Sequence, residues 1–282
     1  MPDDCRVPEA GQSYVRGSTD EPLSEATVHA LLCATAARWP QREAVVFREQ
    51  GARLSWYALA EEAEVVAAGL WALGLRRGDR VAIWSPNRVE WLITQFATAR
   101  IGAILVGINP AYRLPELEYA LRNTGVSVLL TAAFKTSGDL GVPKGLGVWL
   151  KESAASLPAL RTVVHMGEGP IAGTHSWAKL MTLGRAQLGA LPPEGVLGCN
   201  DPINIQFTSG TTGPPKPVTL THRSIVNNAL AVSRRMRLSE ADVLCAPVPL
   251  HHCFGMVLSV LACVASGAKL VVPGEDFDPV AT

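Results

Sequence analysis

Residues 207–222 read FTSGTTGPPKPVTLTH, a run of small, hydroxylated and glycine residues leading to one lysine, Lys216, held between prolines. Gly210 and Gly213 let the backbone turn tightly and approach a ligand with no Cβ in the way. Thr208, Ser209, Thr211 and Thr212 add hydroxyl donors to the main-chain N–H groups. Lys216 supplies positive charge, and the combination suits phosphate. On either side the chain reads as extended: Ile203–Phe207 alternates as INIQF and Val218–Leu220 fits a second short strand, so the loop is expected to join two strands. A Walker A loop needs glycine directly before the lysine and Ser or Thr after it. Here Pro215 and Pro217 hold those places, which disfavours a generic phosphate-loop NTPase. The plainer reading is a Gly/Thr/Pro-rich surface turn with an incidental lysine.

Outward from the loop, helical and extended segments alternate. Thr27 to Trp39 has helical spacing, with Thr27 as N-cap and Pro40 as stop. Glu43–Phe47 and Arg53–Ser55 read as a hairpin, and Ser55 caps a helix from Trp56 to Leu73 that closes on Gly74. Arg80–Trp84, Ala103–Ile108, Val126–Thr131, Thr162–His165 and Ala268–Val272 read as strands. Helices are expected up to about Ile101, from Pro115 to Asn123, and from the cap Thr221 to Met236. Strands alternating with helices at this spacing predict βαβ units, hence an α/β fold of largely parallel β-sheets covered by helices. Residues 134–198 are less regular and are expected to cross from one sheet layer to another.

Composition sets the outer bounds. The chain has 282 residues, 48% hydrophobic and 18% charged, enough apolar content for a large core. Lys plus Arg equals Asp plus Glu at 25 each, so no global charge points to nucleic acid or an anionic membrane, and an anion site must be local. The six cysteines form no CxxC pair, which predicts reduced thiols and a cytoplasmic protein. Cys245, His251, His252 and Cys253 match no usual zinc spacing, so no metal ligands are expected. The N-terminus lacks the features of a signal or transit peptide. The longest apolar run, Met256 to Ala265, is far short of the roughly 20 residues that span a bilayer.

A second segment, PVPLHHCFGM at 247–256, places two histidines after a proline-fixed approach and before an apolar helix. The string TSGTTG, two further positions with proline second, and then lysine resembles the signature of the adenylate-forming enzymes: acyl-CoA synthetases, peptide-synthetase adenylation domains and luciferases. PLHHCFG resembles the PLFHxxG element that follows it in that family, which places the family histidine at His252. INPAYRLPELEYAL (108–121), DPINIQFTSGTTG (201–213) and SPN after RVAIW are most similar to fatty-acid and medium-chain acyl-CoA ligases. The likeness runs from about Ser13 to the end of the chain.

The resemblance implies the fold of the adenylate-forming N-terminal domain, truncated. Residues 1–26 would be an extension and residues 27–282 a partial AMP-binding domain, with the C-terminal small domain absent. The implied activity is ATP-dependent activation of a fatty or other carboxylic acid through acyl-AMP to acyl-CoA, with Mg²⁺ and with coenzyme A as co-substrate. Thr208, Ser209, Gly210, Thr211, Thr212, Gly213, Pro214, Pro215 and Lys216 would hold the nucleotide, and His252 and Lys216 would be the catalytic residues. Val257, Leu258, Val260 and Leu261 either line an acyl tunnel or are helix core. Family members continue for about as long again, so the chain is expected to need a separately encoded C-terminal half, or else to be a non-catalytic nucleotide-binding remnant. Pro217 departs from the family glycine. It removes an N–H and fixes φ, and is expected to weaken the nucleotide site.

Overall fold

The computed structural model describes residues 22–132, 134–136, 139–141, 146–167, 171–208, 214–280 and 282. The chain begins with helix α1 (Val28–Arg38), whose cap Thr27 accepts from the Ala30 N–H. Strands β1 (Glu43–Phe47) and β2 (Ala52–Ser55) form the expected hairpin, and Ser55 caps α2 (Trp56–Ala72) through the Ala58 N–H. β3 (Arg80–Trp84), α3 (Val89–Ile101), β4 (Ile104–Ile108), α4 (Leu114–Thr124) and β5 (Val126–Thr131) then alternate. Next come β6 (Phe134–Thr136), β7 (Asp139–Gly141), α5 (Leu146–Glu152), β8 (Thr162–His165), β9 (His175–Ser176) and α6 (Trp177–Gln187). β10 (Pro202–Thr208), β11 (Lys216–Thr221), α7 (His222–Met236) and β12 (Val243–Cys245) follow. The described fold closes with a π-helix (Phe254–Leu261), α8 (Ala262–Ser266) and β13 (Lys269–Val272).

Two principal sheets organise these elements. A seven-stranded sheet has the order β11-β10-β4-β3-β5-β8-β9, and a four-stranded sheet the order β12-β13-β1-β2. Every neighbour pair is parallel except β10–β11 and β1–β2, so the expected α/β architecture of largely parallel sheets holds. The period of two along the central strands decides which helices cover which face. Val81 and Ile83 of β3 join a core with residues of α1, α2, α3, α6 and α7, whereas Ala82 and Trp84 face a second core with Leu117, Ala120 and Leu121 of α4 and Trp149 of α5. The large sheet is therefore buried on both sides.

The irregular 134–198 segment departs from its expected role. It does not carry the chain between the two principal sheets: β6 and β7 pair with each other as a small separate hairpin, β8 and β9 extend the large sheet beyond β5, and α6 packs on α2. The chain passes between the two principal sheets between β2 and β3 and again between β11 and β12. Helix α6 was not expected at all. It crosses α2 so closely that a Cβ built on Gly184 would lie 1.9 Å from the Val65 carbonyl oxygen, which only glycine allows.

Candidate functional site

The hairpin that carries residues 208–216 is anchored by polar side chains as well as by its ladder. Asn204 of β10 is buried and donates through Nδ2 to the Leu105 carbonyl of β4 at 3.0 Å, while its Oδ1 accepts from Gln206 Nε2 at 2.9 Å. The first bond ties β10 to β4 in register just below the point where the loop leaves the sheet, and the second braces the Asn204 side chain along β10. Thr208 ends β10 and Lys216 begins β11 directly opposite it, both exposed, with Thr208 Oγ1 donating to the Lys216 carbonyl at 3.5 Å. Tyr119 of α4 donates its hydroxyl to the Pro215 carbonyl at 3.4 Å. Pro214 is exposed and Pro215 half-buried. Ser209, Gly210, Thr211, Thr212 and Gly213 lie outside the described residues. Pro217 sits in the edge strand opposite Phe207, a place where a missing N–H is tolerated.

The histidine segment is held over the same end of the sheet. Asn87, 5% exposed in the turn after β3, donates through Nδ2 to the Val248 carbonyl at 3.0 Å and accepts from the Leu250 N–H at 2.7 Å. The chain then passes over β4 at Gly107. A Cβ built there would stand 2.8 Å from the His251 carbonyl oxygen and 3.5 Å from Gln206 Nε2. Absence of a side chain at one position of β4 thus lets the His251–His252 turn settle beside the carboxyl ends of β4 and β10. Gly255 makes the turn itself possible, since a Cβ there would lie 2.3 Å from the Pro249 carbonyl oxygen. The helix beyond opens as a π-helix, a geometry that recurs at functional sites. Met256 from its first turn and Gln95 of α3 close the floor, with Gln95 Nε2 donating to the Met256 carbonyl at 3.5 Å.

The two histidines differ. Burial, with a smaller contribution from neighbouring His252, pushes the His251 imidazole down to about 4, so His251 is neutral at physiological pH. His252 is exposed, and its Nδ1 accepts from the Phe254 N–H at 3.2 Å. That bond assigns the ring proton to Nε2 in the neutral tautomer, giving a donor suited to a carboxylate or phosphoryl oxygen. Of the four tunnel candidates, Val257, Val260 and Leu261 are buried in the main core, while Leu258 is half-buried against it.

Topology explains why the two segments meet here. Adjacent strands β4 and β10 leave the sheet in opposite directions, β4 toward β5 across β3 and β10 outward to β11. In open α/β sheets ligands bind in the crevice at the carboxyl ends of strands where connections diverge in this way. Asn87, Gly107, Tyr119 and Gln206 complete the arrangement, and the sequence did not mark them as site residues. The quoted strings SPN and INPAYRLPELEYAL contain Asn87 and Tyr119, but their partners lie far along the chain.

Comparison with known proteins places the fold in a family. The model of the family described as AMP-binding enzyme matches residues 32–282. The chain belongs to that family. It is 38% identical over 291 residues to the mitochondrial medium-chain acyl-CoA ligase ACSF2 of Rattus norvegicus, covering 98% of this chain and 47% of that protein. Among solved structures, the anthranilate CoA ligase AuaEII in complex with anthranoyl-AMP superposes with a TM-score of 0.76 at 26% identity, over 90% of this chain and 46% of that one. Mycobacterium smegmatis MbtA in its apo form gives a TM-score of 0.74 at 29% identity, over 88% of this chain and 44% of that one. The chain spans about half the length of these AMP-binding relatives.

Proposed function

We propose that this chain binds ATP and a carboxylic acid at the β4–β10 crevice and serves the activation of that acid through acyl-AMP to acyl-CoA. The observation that carries the reading is the meeting of the phosphate-loop hairpin and the His252 turn over the carboxyl ends of β4 and β10. In this reading a carboxylate oxygen attacks the α-phosphorus of ATP and pyrophosphate leaves. The thiol of coenzyme A then attacks the acyl carbon, AMP leaves, and the thiol proton passes to solvent. The protein positions the reactants and balances charge as it develops. Lys216 and the 208–216 backbone hold the phosphates, and the Nε2–H of His252 donates to the acid or to the acyl-phosphate oxygen. No carboxylate among the described residues is bonded to Thr208, Lys216 or His252, and Mg²⁺ would arrive with the nucleotide and offset the charge of its phosphates. Cys33, Cys199, Cys245, Cys253 and Cys263 are free thiols, which fits a reducing compartment, and we keep the cytoplasm as the proposed location.

Isothermal titration of ATP into the purified chain tests the reading. Saturable binding that Lys216→Ala weakens supports it, and a folded chain with no ATP affinity refutes it. One observation favours a second reading: Pro217 in place of the family glycine supports a nucleotide-binding chain that does not adenylate. The chain alone is expected to give no carboxylate-dependent exchange of labelled pyrophosphate into ATP under either reading; supplemented with a separately expressed C-terminal portion of an acyl-CoA ligase relative, it gives exchange only under the first.

A further inference from the structure

On the far side of the core, at the opposite end of α3 from Asn87, a second group of chemically capable side chains converges. His29 and Cys33 lie four residues apart on one face of α1, and Cys33 Sγ is 3.3 Å from His29 Nε2. Glu194, from the segment that leads into β10, brings Oε1 to 3.8 Å from the same Nε2, and Glu64 of α2 brings Oε1 to 3.4 Å. The ligand atoms of His29, Cys33 and Glu194 all lie within 4.8 Å of one another. They open on a cavity of about 340 Å³ lined also by Thr27, Arg100 and Leu197. We propose that His29, Cys33 and Glu194 bind a thiophilic divalent ion of the zinc class, with the fourth position open to the cavity.

Geometry supports this first. Zinc bond lengths of about 2.3 Å to sulfur and about 2.0–2.2 Å to nitrogen and oxygen, arranged tetrahedrally, put ligand atoms roughly 3.4–3.6 Å apart. The sulfur–nitrogen and nitrogen–oxygen separations here, 3.3 and 3.8 Å, bracket that range, and the sulfur–oxygen separation, within 4.8 Å, closes by an inward turn of the exposed Glu194 side chain. The scaffold is also fixed beforehand. Thr27 caps α1, the Val28 N–H donates to His222 Nδ1 at 3.0 Å, and Asn227 exchanges hydrogen bonds with the backbone of Ser24. His29 is 8% exposed, so its imidazole has little freedom to turn away.

Charge supports it second. Among the described residues, Glu64 and Glu194 face one cation, Arg100, whose Nε donates to Glu64 Oε1 at 2.8 Å and whose Nη2 donates to the Pro192 carbonyl. The cluster therefore carries one surplus negative charge, and a divalent ion that displaces the Cys33 thiol proton brings it to zero. Burial and the two carboxylates push that thiol up to about 11, so without an ion Cys33 is a poor nucleophile and a weak candidate for oxidation chemistry. The location, at the amino end of β4 rather than its carboxyl end, makes the ion structural with respect to the ATP crevice.

Titration of the reduced, full 282-residue chain with Co²⁺ tests the proposal. The expected result is one cobalt per chain with thiolate-to-metal charge-transfer absorption, displaced by Zn²⁺. That absorption disappears in Cys33→Ser and persists in Cys253→Ser. Zn²⁺ at a hundredfold its dissociation constant raises the unfolding midpoint by roughly 5–10 °C, and Glu194→Gln, at an exposed position, reduces cobalt affinity at least tenfold while the metal-free midpoint stays put. Absence of the charge-transfer band, its survival in Cys33→Ser, or unchanged affinity in Glu194→Gln overturns the proposal. Because ATP titration is read separately, failure here leaves the nucleotide site standing.

Discussion

Replacing Asn87 with alanine removes the side chain that ties the end of β3 to the histidine segment. Two bonds are lost, one to the Val248 carbonyl and one from the Leu250 N–H. Leu250 is fully buried, so its N–H has no water to turn to, and an orphaned buried backbone group costs about 1–3 kcal/mol. With a smaller contribution from the half-buried Val248 carbonyl, the total comes to about 2–4 kcal/mol. For a domain of this size each kcal/mol moves the melting midpoint by about 2–4 °C, giving a fall of roughly 4–16 °C, measured by circular dichroism. Asn87→Asp separates the two bonds. It keeps an acceptor for Leu250 but sets a carboxylate oxygen against the Val248 carbonyl, so it too is destabilised. In both variants the His252 turn loses its clamp and ATP affinity falls with stability. A midpoint within about 1 °C of the parent in Asn87→Ala would refute the claim that this residue holds the crevice together.

Lys216→Ala is expected to weaken ATP binding by about 10- to 100-fold, the loss of one charge-assisted contact, with an unchanged melting midpoint because the side chain is exposed; equal affinities by calorimetry would remove Lys216 from the site. Pro217→Gly is expected to tighten ATP binding, and a weaker or unchanged constant counts against it. Gly255→Ala forces a Cβ to 2.3 Å from the Pro249 carbonyl oxygen and is expected to cost about 1–3 kcal/mol as overpacking, read from denaturant unfolding. Burial depresses the His222 imidazole from 6.5 to about 4. Its neutral form therefore contributes stability that is fully present above pH 6.5 and is lost as pH falls toward 4. Midpoints recorded between pH 7 and 4 should decline less steeply in His222→Gln than in the parent, and parallel curves would reject the assignment.

Local chemistry was legible wherever one residue decides a boundary. Thr27, Ser55 and Thr221 cap the helices they were expected to cap, and Gly125 follows α4 in the left-handed region at φ 59°. The strands at 80–84, 126–131 and 162–165 have the expected limits. Helix α6 escaped because Gly184 lowers helical propensity, although Ser176 is a sound cap and accepts from the Lys179 N–H. What makes Gly184 necessary is Val65 on another helix, and no local pattern records that. β12 escaped because its three residues are mostly exposed and too short to show alternation. The same holds for the crevice: Lys216 and His252 advertise their chemistry, whereas Gly107 and Asn87 matter only because residues 248–251 fold back onto them.

The pairing of β1 with β13 joins Val45 to Leu270 and Phe47 to Val272, partners separated by most of the chain. At the 5–20 residues per second of synthesis, β1 emerges roughly 10–45 s before the strand it needs. During that interval the β1–β2 hairpin, only marginally stable by itself, presents the unpaired edge of Ala44, Val45, Val46 and Phe47, all buried in the finished fold. Such long-range parallel closure is slow, so the β1–β13 seam is expected to close after the locally connected strands β3, β4 and β5 have paired.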